Sequence, residues 1–157
     1  MSVRVQVEDF DVSAELEALR NRDPRIGAVV CFLGLVRDMN DDAPVTTLEL
    51  EHYPGMTEKA LSAIVEEAKG RWRVVDATVV HRVGELRPTD AIVLVAVASP
   101  HRGEAFAACE FIMDYLKTRA PFWKKEGTPT GSRWVDARDS DDRAAARWAA
   151  GEAHPDS

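Results

Sequence analysis

The chain is poor in the residues that staple or cage a fold. Its two cysteines, Cys31 and Cys109, stand far apart inside apolar runs. No CxxC or Cys/His spacing marks a zinc site, and nothing demands a disulfide. No apolar run approaches the roughly 20 residues that a membrane span needs. The N-terminus, MSVRVQVEDF, lacks the long apolar core of a signal peptide. These absences predict a cytoplasmic protein. Positive charge is also short: Lys and Arg number 20 against 27 Asp and Glu, a net charge of -7. A general nucleic-acid binder needs a broad basic surface to displace counterions, so that class is excluded, while a local basic pocket is not. There is no Walker loop, no GxGxxG, no serine nucleophile elbow and no HExxH. With no metal-ligand cluster either, neither a metal nor a cofactor is expected.

What is present is ordinary for one globular domain: 157 residues, 45% apolar and 30% charged. Val3, Val5 and Val7 alternate with polar residues, which predicts a half-buried strand over 3–8. Ser13 is placed to cap a short helix reaching about Arg20. GAVVCFLGLV at 27–36 reads as a strand buried on both faces, with Gly34 marking a bulge or a close backbone approach. Arg37 follows at its end. After a polar loop at 38–44, alternation over Val45–His52 predicts a strand hairpinned to the previous one.

Ala60, Leu61, Ile64, Val65 and Ala68 recur at helical spacing, with Gly70 as the expected terminator. Trp72–Arg82 and Ala91–Ala98 read as two further strands, the second apolar enough to be central. His81, late in the first of them, reads as a structural histidine.

The stretch from Ser99 to Glu126, SPHRGEAFAACEFIMDYLKTRAPFWKKE, carries the chemistry. Ser99 and Pro100 suit a helix start, which places His101 and Arg102 in the first turn. There the free amides and the macrodipole already favour an anion. Phe106, Cys109, Met113 and Leu116 form the expected buried stripe. Lys117 lies one turn after Met113. Pro121 stops the helix, and 122–126 reads as extended. Alternation then sets Lys124 opposite Trp123 and Lys125, so one lysine of the pair faces a pocket. Arg37, His101, Arg102, Lys117 and Lys124 all fall near element ends, where functional residues gather. Residues alone therefore point to an anion-binding site.

The ordered set GAVVCFLGLVR (27–37), LELEHYPGM (48–56), VVHRVGEL (79–86), SPHRGEAF (99–106) and DYLKTRAPFWKKE (114–126), with RWV after it, resembles the large subunit of molybdopterin synthase, the MoaE family. The resemblance spans residues 3–136. It implies a sulfurtransferase that converts cyclic pyranopterin monophosphate into molybdopterin. Sulfur would come from a thiocarboxylate on the C-terminal Gly-Gly tail of a small ubiquitin-like subunit. The implied assembly is a heterotetramer with a homodimer of the large subunit at its centre. The implied fold is the family's α/β hammerhead, an α+β single domain with a mainly antiparallel sheet and about three helices.

On that resemblance Lys117 and Lys124 are the catalytic lysines. Arg37, His101 and Arg102 bind the anionic substrate or tail. The domain is expected over 1–136. The acidic and alanine-rich segment 137–157 follows as a tail, either a short helix docked around Trp148 or a disordered end. A rival reading is a non-catalytic module that binds a ubiquitin-like tail. The presence of both Lys117 and Lys124 argues against it, because docking alone does not need both.

Overall fold

The computed structural model describes residues 1–40, 43–129, 131–135 and 139–149. Part of the expected polar loop, at Asp41 and Asp42, lies outside the described residues, as do residue 136 and positions 137–138 and 150–157 of the tail. The chain is α+β, and among the described residues strand pairing is antiparallel except between its first strand and β6.

One sheet has the order β1-β6-β8-β2, from Ser2–Gln6 (β1), Asp76–Arg82 (β6), Ala91–Ser99 (β8) and Ala28–Leu35 (β2). As its composition predicts, β8 is central and buried on both faces. Val93, Val95 and Val97 face the main core, while Ala96 and Ala98 meet Leu19 of α1 (Val12–Arg20) on the other side. The main core lies under α2 (Met56–Arg71) and α3 (Arg102–Arg119).

The second sheet has the order β10-β9-β5-β7, from Gly131–Val135, Phe122–Thr128, Thr47–His52 and Gly84–Leu86. The chain crosses from β6 in the first sheet to β7 in the second through Gly84. Its φ of 88° is open to glycine and strained for other residues. A two-residue ladder, Met39–Asn40 (β3) with Ala43–Pro44 (β4), closes the loop after β2.

Several local expectations change. β2 is not buried on both faces as expected: it is an edge strand, with Phe32, Leu33 and Leu35 exposed. An apolar run does not itself say how many neighbours a strand has. β2 is not hairpinned to β5 either. It pairs with β8, and β5 joins the other sheet. The register does shift at Gly34, where an added Cβ would meet Val93 Cγ1 at 2.7 Å.

α1 is capped by Asp11, whose carboxylate accepts from the Ala14 amide, not by Ser13. Gly70 lies inside α2, which runs on to Arg71 and is capped at Trp72. Phe106 is 55% exposed, so the buried face of α3 carries Cys109, Met113 and Leu116 without it. Beyond the three expected helices, α4 (Asp139–Ala149) packs on α3 through Ala145 and Trp148.

Candidate active site

The two sheets meet at the C-terminal end of α3 and leave a cleft of about 320 Å³. Arg37 reaches it from the end of β2, Lys117 from the last turn of α3, and Lys124 from β9. Its apolar walls include Val36, Leu48, Leu50, Leu116 and Phe122. Three of the expected cations therefore share one site, although they are up to 87 positions apart in sequence.

The register of β9 explains the choice of lysine. Side chains of a strand alternate, so Phe122, Lys124 and Glu126 line the cleft together. Lys125 points the other way and lies over the Trp134 ring, 5.7 Å from its centroid. The corner before β9 is pinned by Thr57, a fully buried hydroxyl. It donates to the Pro121 carbonyl at 3.1 Å and accepts from the Tyr53 amide at 3.0 Å. This tie fixes where β9 starts, and hence which way Lys124 faces.

His101 and Arg102 are not brought to the cleft. They are exposed at the opposite end of α3, about 24 Å of helix axis from Lys117. Helix α3 begins two residues later than its sequence suggests. His101 is the N-cap, and Ser99 Oγ accepts from the His101 amide at 3.3 Å. The first-turn carboxylate, Glu104, accepts from the Arg73 amide at 3.1 Å.

Three cleft residues were not singled out as functional by their sequence pattern. Glu126 is buried two positions past Lys124 on the same strand face, so alternation carried that signal. Asp141 comes from α4. His81 comes from β6, where a lone histidine gives no cue to what lies opposite. Its ring stacks on Phe122 with centroids 4.0 Å apart and planes at 23°. Its Nδ1 lies 2.8 Å from the Arg82 carbonyl.

Burial lowers the His81 titration to about 3, against the opposing pull of the Arg82 carbonyl, and the charges of Lys117, Lys124 and His52 lower it further. The imidazole is therefore neutral at physiological pH. Burial likewise pushes the Cys109 thiol up to about 12, which leaves it inert as a nucleophile. No group of His, Cys, Asp and Glu suited to a metal ion occurs among the described residues. No helix among them is long and apolar enough to cross a membrane.

The cleft can hold a small anion against donor groups on an apolar floor. Arginine offers bidentate contacts to phosphate or carboxylate, and the two lysines that line the same cleft are groups of the kind that serve as proton donors or charge stabilisers.

Comparisons with known proteins agree in family. The model of the MoaE protein family matches residues 5–119. The molybdopterin synthase catalytic subunit of Ralstonia nicotianae is 67% identical over 94% of this chain and 84% of its own. A molybdopterin biosynthesis MoaE protein structure from Burkholderia ambifaria superposes with a TM-score of 0.82 at 61% identity, over 94% of this chain and 97% of that one. The crystal structure of molybdopterin synthase from Staphylococcus aureus gives a TM-score of 0.78 at 36% identity, over 84% and 95% of the two chains. With the family model covering most of its length and these relatives matching it nearly end to end, the chain belongs to the MoaE family.

Proposed function

We propose that this chain is the catalytic subunit of a molybdopterin synthase, acting in molybdenum cofactor biosynthesis in the cytoplasm. The observation that carries the reading is the convergence of Arg37, Lys117 and Lys124 on one cleft in a net-acidic chain. A cyclic phosphate and a thiocarboxylate are both anionic, and a local cationic cleft suits both.

The thiocarboxylate tail of a small ubiquitin-like subunit delivers sulfur to a side-chain carbon of cyclic pyranopterin monophosphate. Each transfer forms one carbon–sulfur bond and breaks one carbon–oxygen bond at the same side-chain carbon, the oxygen leaving on the phosphate or, once protonated, as water. Water then cleaves the acyl–sulfur bond and returns the tail as a carboxylate. Lys117 assists proton transfer, and Lys124 stabilises the negative charge that develops. Arg37 holds the phosphate or the tail carboxylate.

His101 and Arg102 join this site in the assembly, not in the single chain. The working unit is a homodimer within a heterotetramer, and a second copy supplies its α3 N-terminus to the cleft. The open edge of β2 and the exposed Phe32, Leu33, Leu35 and Phe106 suit such a contact.

The experiment is single-turnover conversion of cyclic pyranopterin monophosphate with a thiocarboxylated partner, run for wild type and Lys117→Ala. Product from wild type and none from the variant is expected. A wild-type complex that forms but yields no product refutes the enzyme reading.

A further inference from the structure

His81 occupies an expensive position. It sits in an interior strand, in register with Val5 of β1 and Val93 of β8, with 5% of its surface exposed. A polar side chain there is costly unless its hydrogen-bonding groups are satisfied. One of them is. A carbonyl oxygen can only accept, so the 2.8 Å contact with Arg82 O requires the proton on Nδ1. A neutral ring has a single N–H, and its Nε2 is then a bare lone pair. Stacking on Phe122 fixes the plane in which that lone pair points. Among the described residues Nε2 has no hydrogen-bond partner, and His81 lines the cleft.

The groups around it are cationic or acidic. Lys117 comes from α3, Lys124 from β9, Arg37 from the end of β2 and His52 from β5. Glu126 and Asp141 supply carboxylates. Of the two lysines, the charge of Lys117 acts on the ring more strongly. Lys117 is exposed, and it forms no ion pair or hydrogen bond among the described residues. A free lysine side chain loses considerable rotamer entropy when it is held in one place. A carboxylate would hold it but would also cancel its charge toward an anionic substrate. A neutral acceptor orients the amine and leaves the charge intact.

We propose that His81 is a positioning residue for sulfur transfer: its Nε2 lone pair, without a partner among the described residues, accepts a hydrogen bond from Lys117 Nζ once an anion draws that amine into the cleft. This rests on the molybdopterin synthase reading for its effect on turnover, but not for the contact itself.

The contact is tested first, without any reaction. Nitrogen NMR of the wild-type chain reads the His81 tautomer at neutral pH, and the order parameter of Lys117 Nζ reads its mobility. The expected result is a protonated Nδ1, an unprotonated Nε2 and a Lys117 amine that becomes ordered when inorganic phosphate is added. The opposite tautomer, or an amine that stays as mobile as that of Lys59 with phosphate present, overturns the proposal.

Two variants follow. His81→Phe keeps the stack on Phe122 and removes the acceptor. His81→Gln places an amide oxygen at about the reach of Nε2. His81→Phe is expected to free the Lys117 amine and to slow single turnover at saturating substrate at least about tenfold, as for loss of a hydrogen bond to a charged group. Substrate KM and partner binding stay near wild type, and His81→Gln recovers much of the rate. A His81→Phe chain as fast as wild type overturns the proposal. So does a His81→Gln chain as slow as His81→Phe, because a purely structural histidine predicts that pattern. If wild type makes no product, the synthase reading fails while the NMR result still decides the contact.

Discussion

The indole Nε1 of Trp148 donates to Asp114 Oδ2 at 2.6 Å, and this bond joins α4 to the middle of α3. The ring is 2% exposed and packs edge-on against Trp72 and Phe111, while Arg71 Nη1 donates to the Trp148 carbonyl at 3.0 Å. Docking α4 also sets Asp141 at the cleft. Trp148→Ala removes a large buried ring and is expected to cost about 3–5 kcal/mol. Trp148→Phe keeps most of the packing, loses the hydrogen bond and costs about 1–2 kcal/mol. Denaturant unfolding of the three chains checks the order. A Trp148→Ala midpoint equal to wild type shows that α4 contributes nothing to stability.

The alternation of β9 makes a sharper functional prediction. Lys124 and Lys125 are adjacent and chemically identical, yet only Lys124 lines the cleft, while Lys125 covers Trp134. Lys124→Ala is expected to lower single-turnover sulfur transfer at least about a hundredfold, in the range for loss of a charge-stabilising group. Lys125→Ala is expected to stay within about threefold, because Lys125 lies over the Trp134 ring on the face away from the cleft. Comparable losses from both substitutions contradict the register-based assignment.

Parts of this picture were readable in the sequence because they depend on local pattern. Strand alternation set Lys124 and Lys125 on opposite faces without saying which one meets the cleft, helical spacing gave α2 and α3, and the run of 91–98 marked the central strand β8. What local pattern does not encode is which strand lies beside which. The run 27–36 looks the same whether it has two neighbours or one, so the edge position of β2 and its exposed Phe32 and Leu35 were invisible. The same limit separated His101 from Lys117. Both fall on one helix, and only its length, 18 residues, puts them at opposite ends. His81 became interesting once β6 was seen to end against β9, a contact that no spacing announces.

The burial of His81 has a consequence for stability against pH. Its titration falls from an ordinary 6.5 to about 3, chiefly through burial, with Lys117 of α3, Lys124 of β9 and His52 of β5 adding to it. The folded-state value is the depressed one. Between about pH 6.5 and 3 the unfolded chain therefore binds a proton that the folded chain refuses. Stability from this group is fully present above 6.5 and declines as pH falls through that window, with a limiting slope of about 1.4 kcal/mol per pH unit. Urea midpoints measured from pH 7 to pH 4 for wild type and His81→Phe isolate the contribution. The variant is expected to show the shallower decline. Parallel curves mean that His81 titrates alike in both states.

The separation of His101 and Arg102 from the cleft yields the strictest test of the proposed assembly. On one chain Arg102 and Lys117 stand about 23 Å apart along α3, too far to touch one small substrate. If both act on that substrate, they come from different copies. Lys117→Ala and Arg102→Ala homodimers are then each inactive. In a mixed dimer one site collects both substitutions, and the other collects neither. Refolding the two variants together in equal amounts makes half of the dimers mixed, with one intact site in each. Activity should therefore return to about a quarter of wild type. If Arg102 served the cleft of its own chain, every site in every dimer would carry a defect and mixing would restore nothing. Single-turnover sulfur transfer by the mixture, compared with each variant alone, separates the two arrangements without reference to any interface geometry.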